Sequence, residues 1–256
     1  MLAFRLLRHS GLMLIHDPRA TLRIWLPYLI LLTATQFITA KAQAAEAQFG
    51  FLAASQWRAA TPIAELLTWL VLLPTAVSWH RRVLLGEPPR LIARGRWRQV
   101  LSYALTGLLF SLLSFMMVAP VVLLASALSA LFGDGSIGLS SGIARLAFMF
   151  PGLMVVAAFA IRLATAFPGA ALGQIPAIKT AWRATRGHMR SFLALGLVYV
   201  VAQGGLALLS LGIFSLTGSA IATMLTMGVV SWAVTMLALS VLTTLWGHFV
   251  EGRDLR

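Results

Sequence analysis

At 256 residues the chain is 59% hydrophobic and 11% charged, with a mean hydropathy of +0.88. Soluble domains are about half apolar and about a quarter charged, so this composition excludes a water-soluble fold. The net charge of +13 would suggest nucleic acid in a soluble protein, but here the basic residues occupy short loops between apolar runs, where membrane orientation and anionic lipids explain them better. Cysteine is absent, which excludes disulfide scaffolds and thiol chemistry.

The first predicted element is an amphipathic helix over residues 2–16, within an interfacial segment at 1–20. Arg5, Arg8 and the two histidines of this segment share one arc of the helical wheel, with leucines on the opposite arc. Such a helix lies in the membrane interface instead of crossing it. Pro18 disfavours the helical region for the residue before it, so the helix should end near His16.

Apolar runs then predict about six transmembrane helices, since a hydrocarbon core of about 30 Å needs about 20 apolar residues. Residues 41–58 are more polar and suggest a surface-lying segment, and Thr61-Pro62 reads as the capped start of the second span. Residues 132–142, rich in glycine and serine, predict a plain turn. The prediction is an all-α, polytopic membrane protein with one transmembrane domain over 1–256, and its spans cover about 22–40, 61–79, 100–130, 143–166, 191–216 and 220–247.

The distribution of basic residues predicts the orientation. In this topology 17 of the 20 Lys and Arg residues fall on one side, and the other side holds Lys41, Arg58 and Arg145. Short basic loops stay in the cytoplasm, so both termini and both basic loops should be cytoplasmic. Arginine outnumbers lysine heavily and alanine is abundant, as in proteins from GC-rich bacterial genomes. The predicted location is therefore a bacterial inner membrane.

A faint internal repeat groups the spans in pairs. The sequence LGEPP at 85–89 is echoed by LGQIP at 172–176, and each is followed by a basic stretch containing Trp-Arg and then by a span. This pattern suggests three hairpins, each preceded by a basic interfacial helix.

Each long basic loop also predicts a charged helical stripe beside a tryptophan. The first stripe has i, i+4, i+8 spacing and the second has spacings of four and three residues. Two interpretations remain open: these residues either set the topology or bind anionic lipid headgroups or an acidic partner protein. The candidate binding residues are Arg90, Arg94, Arg98 and Trp97 in the first loop, and Lys179, Arg183, Arg186 and Trp182 in the second.

Two charged residues lie more than three residues inside predicted spans. Arg162 lies about one turn from the inner end of its span, where an arginine can snorkel to the headgroups. A functional contact is the alternative, because charges inside membranes are costly. Glu65 lies near the start of its span, where a carboxylate favours the helix dipole and is most simply structural.

The sequence shows no catalytic, metal or cofactor motif. The pattern H-E-x-x-H, a phosphate-binding loop and G-x-S-x-G are absent, and no histidine has a second ligand at metal spacing. We therefore expect neither an enzyme nor a cofactor.

Three segments resemble a known group of proteins. They are RLATAFPGAALG at 162–173, AWRATRG at 181–187 and AVSWHRRVLLGE at 76–87. They are similar to uncharacterised bacterial membrane proteins that look like the membrane domain attached to some glycerophosphoryl diester phosphodiesterases. The resemblance implies a six-span inner-membrane protein. It implies no phosphodiesterase activity, because that chemistry belongs to a separate soluble domain with acidic metal ligands.

Three functional hypotheses follow. The first is a non-enzymatic protein that binds anionic lipid or an acidic partner at its cytoplasmic face. The second is a small transporter or flippase-like protein, and a polar cavity at mid-membrane would favour it. The third is an enzyme acting on lipid, or a subunit of one, although no nucleophile–base pair is present.

Overall fold

The computed structural model describes residues 2–52, 54–90, 95–132 and 138–255, and gives the backbone alone for residues 125, 128–132 and 138–148. Within these ranges the chain forms nine α-helices and no strand. Six helical segments are long and apolar enough to cross a membrane, so the chain is an all-α, multi-pass membrane protein. The helices are α1 Leu2–His16, α2 Pro18–Phe49, α3 Ser55–Leu85, α4 Trp97–Phe132, α5 Gly138–Ala164, α6 Ala166–Ala171, α7 Ala177–Ala184, α8 Met189–Thr217 and α9 Ala220–Phe249.

The long helices run in alternating directions, so the bundle has two ends of different charge. We call the end that holds α1, residues 86–90, α6 and α7 the basic end. The α2–α3 connection and the turn at Gly218 lie at the opposite end. The pairs α2–α3, α4–α5 and α8–α9 form three hairpins, and short basic helices precede the first and the third.

The predicted end of the first helix near His16 is confirmed. α1 ends at His16, and the Asp17 carboxylate accepts a hydrogen bond from the Ala20 N–H at 3.1 Å, which caps α2 with Pro18 at its first position. α1 packs on α8 and α9, where Leu6 is fully buried beside Phe192.

The helices that contain the first two predicted spans extend beyond the predicted ends of those spans. Residues 41–49 continue α2 as far as Phe49 instead of lying on the surface, because their alanines, glutamines, lysine and glutamate are strong helix formers. α3 begins at Ser55, so Thr61-Pro62 lies inside it, and the Thr61 hydroxyl donates to the Trp57 carbonyl at 3.0 Å. α3 then continues past the predicted end at residue 79 to Leu85, where Gly86 adopts φ +68°.

The predicted turn at 132–142 is also shorter than expected. Residues 138–142 already belong to α5, while 133–137 lie outside the described residues. The second basic loop folds into two short helices, α6 and α7, and is thus more ordered than a loop prediction implies.

The packed core lies in the basic half of the bundle. Trp25, Trp79 and Trp246 are fully buried there, and the rings of Trp25 and Trp79 meet edge to face at 6.1 Å. Two glycines allow close approach in this half. A Cβ on Gly169 would overlap the Trp246 indole, and one on Gly196 would lie 2.7 Å from the Met154 carbonyl oxygen. This packing holds the short helices of the basic end in place.

Candidate functional site

Three carboxylates at the basic end are paired with arginines of the same end. The Arg81 guanidinium donates twice to Glu87, at 3.1 Å and 2.5 Å, and Arg96 donates to the same carboxylate. These hydrogen bonds and the two positive charges hold the pKa of Glu87 below its usual range, against the opposing effect of partial burial. Asp17 forms a second ion pair, with Arg82. Glu87, Arg96 and the start of α2 are thereby joined to the end of α3.

The carboxyl-terminal segment is fastened to the same end. Glu251 accepts from the buried Trp246 indole at 3.1 Å and pairs with Arg253. Arg253 also donates to the Leu84 carbonyl at 2.6 Å, which connects the tail to α3. A further arginine contact joins α3 to α6, because Arg81 donates to the Ala171 carbonyl at 3.2 Å.

Once these pairs are assigned, a set of exposed basic side chains is left at the basic end. Among the described residues, none of them forms an ion pair. The free basic set consists of Arg8, Arg19, Arg23, Arg90, Arg98, Lys179, Arg183, Arg186 and Arg190.

The second predicted stripe is only partly helical. Lys179 and Arg183 lie one turn apart on the exposed face of α7, while Ala177 and Ala181 are buried beneath them. α7 ends at Ala184, because Thr185 closes the last turn and Gly187 adopts φ +85°. Arg186 therefore lies beyond the helix, although it remains exposed on the same side of the bundle end.

The first predicted stripe is not a helical stripe. Gly86 ends α3, and residues 86–90 are not helical, since Pro88 and Pro89 follow at once. Arg90 and Arg98 are exposed but belong to different elements, and Arg94 lies outside the described residues. Trp97, in the first turn of α4, is 76% exposed. Trp97 and Arg98 thus share the first turn of α4, and Arg90 lies outside that helix.

Arg162 contacts neighbouring groups of the protein. Its Nε donates to the Thr185 hydroxyl at 2.9 Å and its Nη2 donates to the Trp182 carbonyl at 3.0 Å. Its guanidinium carbon also lies 3.7 Å from the centroid of the Trp182 ring, which Phe159 contacts too. Arg162 therefore holds the carboxyl-terminal end of α7 against α5, and the half-buried Trp182 packs on Arg162 and Phe159.

Glu65 is not at the start of its helix. α3 begins at Ser55, so Glu65 lies almost three turns inside and the interpretation through the helix dipole is wrong, because that effect fades within the first turn. It is exposed and lines a cleft between α2, α3 and α9.

Sequence reasoning missed a buried histidine. His80 Nδ1 lies 2.7 Å from the Thr243 hydroxyl, which donates to the Leu239 carbonyl, and His80 Nε2 lies 3.3 Å from the Tyr103 hydroxyl. The proton positions that satisfy all three contacts make His80 a neutral donor through Nδ1. This network joins α3, α4 and α9. Its three side chains are far apart in the sequence, so residue spacing could not reveal that they meet. No group of three or more potential metal ligands occurs among the described residues.

Comparison of the chain with protein families, curated proteins and solved structures finds no match. The resemblance to membrane domains of glycerophosphoryl diester phosphodiesterases therefore stays a prediction. What is established at this site is its geometry: three partly exposed carboxylates are paired with arginines, and the free basic set is exposed at the same end.

Proposed function

We propose that this protein is a non-enzymatic inner-membrane protein whose basic end faces the cytoplasm and holds anionic lipid headgroups. The observation that carries the proposal is that the free basic set at this end has no carboxylate partner among the described residues, while nearby carboxylates pair with other arginines. Asp17, Glu87 and Glu251 are already engaged by arginines, so they do not neutralise the free basic set. The excess of 17 basic residues over 3 supports a cytoplasmic position for this end, because short basic loops stay in the cytoplasm.

The apolar neighbours of the free basic set favour a lipid surface over an acidic protein. Trp97 and Ile175 are 76% and 84% exposed at the same end as the basic side chains. Exposed tryptophan beside arginine is typical of the membrane interface, where the ring packs among headgroups and the charge meets phosphate. We therefore assign anionic phospholipid of the cytoplasmic leaflet as the ligand.

The test is lipid retention after charge removal. The variant carries Lys179→Gln, Arg183→Gln and Arg186→Gln, which keeps polarity and helix propensity but removes three charges. Each basic residue near an anionic leaflet contributes on the order of 1 kcal/mol, so retention of phosphatidylglycerol should fall roughly 100-fold at low salt. Native mass spectrometry of protein exchanged into lipid mixtures measures this loss, and added salt should reduce the difference between wild type and variant.

A matched control removes three charges from the other side of the chain, through Lys41→Gln, Arg58→Gln and Arg145→Gln. It should retain phosphatidylglycerol as wild type does. If the basic-end variant inserts normally and retains as much phosphatidylglycerol as wild type at low salt, the basic residues only set topology and the proposal is wrong. A reporter fused at Gly187 should be cytoplasmic and one fused at Gly218 should not.

A further inference from the structure

A polar cleft opens between α2, α3 and α9 in the half of the bundle away from the basic end. Its polar side chains follow helical spacing on two facing helices, with Thr35, Gln36 and Thr39 on α2 and Glu65 and Thr68 on α3. The cleft has a volume of about 520 Å³. Such a stripe on a membrane-spanning helix faces an interior or a ligand, since polar groups are costly against lipid.

Glu65 differs from the other carboxylate described on the spanning helices. Glu46 pairs with Arg58 at 2.7 Å, whereas Glu65 forms no hydrogen bond or ion pair with any described residue. A carboxylate without a protein partner inside a candidate membrane span favours a site for a positively charged ligand.

Hydrogen-bond direction makes the cleft a site of acceptors. Thr68 donates its hydroxyl proton to the Ala64 carbonyl at 2.8 Å, and its oxygen lies 2.8 Å from the Thr35 hydroxyl. Both contacts are satisfied when Thr35 donates to Thr68, which leaves the remaining lone pairs of Thr35 as acceptors. Together with the Glu65 carboxylate and the Gln36 carbonyl, these oxygens fit a ligand that carries N–H donors and a positive charge.

The apolar wall of the cleft favours an organic cation over a metal ion. Tyr28, Trp69, Leu72 and Met224 line it beside Glu65. A calcium or magnesium site would need several more oxygen ligands and no aromatic wall, whereas aromatic faces attract organic cations. We propose that this cleft binds a lipophilic ammonium ion, with its charged nitrogen at Glu65 and its apolar part against Tyr28 and Trp69. This site is separate from the basic end and does not depend on the function proposed there.

The experiment measures binding of 2-phenylethylammonium to the full chain in nanodiscs of phosphatidylcholine and phosphatidylglycerol, which contain no primary ammonium group. Glu65→Gln should weaken binding more than about tenfold, as expected when one partner of a charge pair is lost. Thr39→Val, which keeps the shape and removes an acceptor, should weaken binding by less. The uncharged analogue 2-phenylethanol should not bind measurably.

The matched control is Glu46→Gln, which removes the other carboxylate of the spanning helices outside the cleft and should bind the ammonium ion as wild type does. A second arm replaces part of the phosphatidylcholine with phosphatidylethanolamine. Weaker apparent binding then identifies the lipid headgroup as the occupant, and unchanged binding identifies a free amine. The proposal is overturned if Glu65→Gln binds as tightly as wild type, if 2-phenylethanol binds equally well, or if wild type binds no ammonium ion in either lipid mixture. Equal thermal stability of Glu65→Gln and wild type excludes misfolding as the cause of a loss.

Discussion

The basic end and the polar cleft use carboxylates in opposite ways. At the basic end Glu87 and Asp17 are fixed by arginines, and the unpaired groups are the basic side chains that remain. In the cleft no basic residue lies among the lining side chains, and the group without a partner is the Glu65 carboxylate. The same residue type is structural in one region and a ligand candidate in the other. The neighbours that the fold supplies decide between these roles, and the two regions should select ligands of opposite charge.

The largest difference between the two regions should appear in their packing. Gly169→Ala would drive a Cβ into the buried Trp246 indole at the basic end, so we expect a loss of about 3 kcal/mol of stability. Gly228→Ala is the matched change beside the cleft, where the new Cβ would lie 3.2 Å from Cγ of the flexible Gln36 side chain. Thermal unfolding in detergent should show a large loss for Gly169→Ala and a small one for Gly228→Ala. Equal losses would mean that the basic end is not the rigid part of the fold.

A smaller loss of stability should distinguish an arginine that is bonded to the protein from an arginine of the free basic set. Arg162→Lys keeps the positive charge but cannot reproduce both hydrogen bonds and the stacking on Trp182, so it should cost about 1–2 kcal/mol. Detachment of α7 should also speed tryptic cleavage after Arg183 and Arg186. Arg190→Lys, at an exposed residue of the free basic set, is the control and should change neither stability nor cleavage. Full tolerance of Arg162→Lys would favour the snorkelling interpretation.

The smallest effect should be the pH dependence of the Glu87 pair. Its pKa is depressed in the folded state, so its contribution to stability is complete above the ordinary value of 4.5 and is lost as the pH falls through the folded pKa. Glu87→Gln should therefore be less stable than wild type near neutral pH, and the two proteins should converge as the solution is acidified. Thermal unfolding across pH measures the gap. A gap that widens on acidification would contradict the assigned ion pair.

Much of the fold could be predicted because composition and periodicity act locally. The six spans follow from apolar runs, and the end of α1 follows from the restriction that Pro18 places on its neighbour. The ends of α2 and α3 were misplaced because polarity was taken as a sign of surface segments, although an alanine-rich polar stretch is a good helix.

The sites were harder to predict because they depend on which helices meet. The role of Arg162 depends on α7 folding back onto α5, and no spacing within either helix reveals that contact. The cleft did leave a signal. Thr35, Gln36 and Thr39 share one helical face, and Glu65 and Thr68 share another, so a polar stripe could have been found on each of two adjacent spans.

The most direct measurement tests both ligands on variants of each of the two regions. Wild type, the triple variant Lys179→Gln, Arg183→Gln and Arg186→Gln, and Glu65→Gln are each assayed for phosphatidylglycerol retention and for 2-phenylethylammonium binding in matched nanodiscs. We predict that the triple variant loses phosphatidylglycerol but binds the ammonium ion, and that Glu65→Gln does the reverse. The account of two sites with opposite charge preference would be contradicted if either variant lost both ligands. It would also be contradicted if both variants kept both ligands.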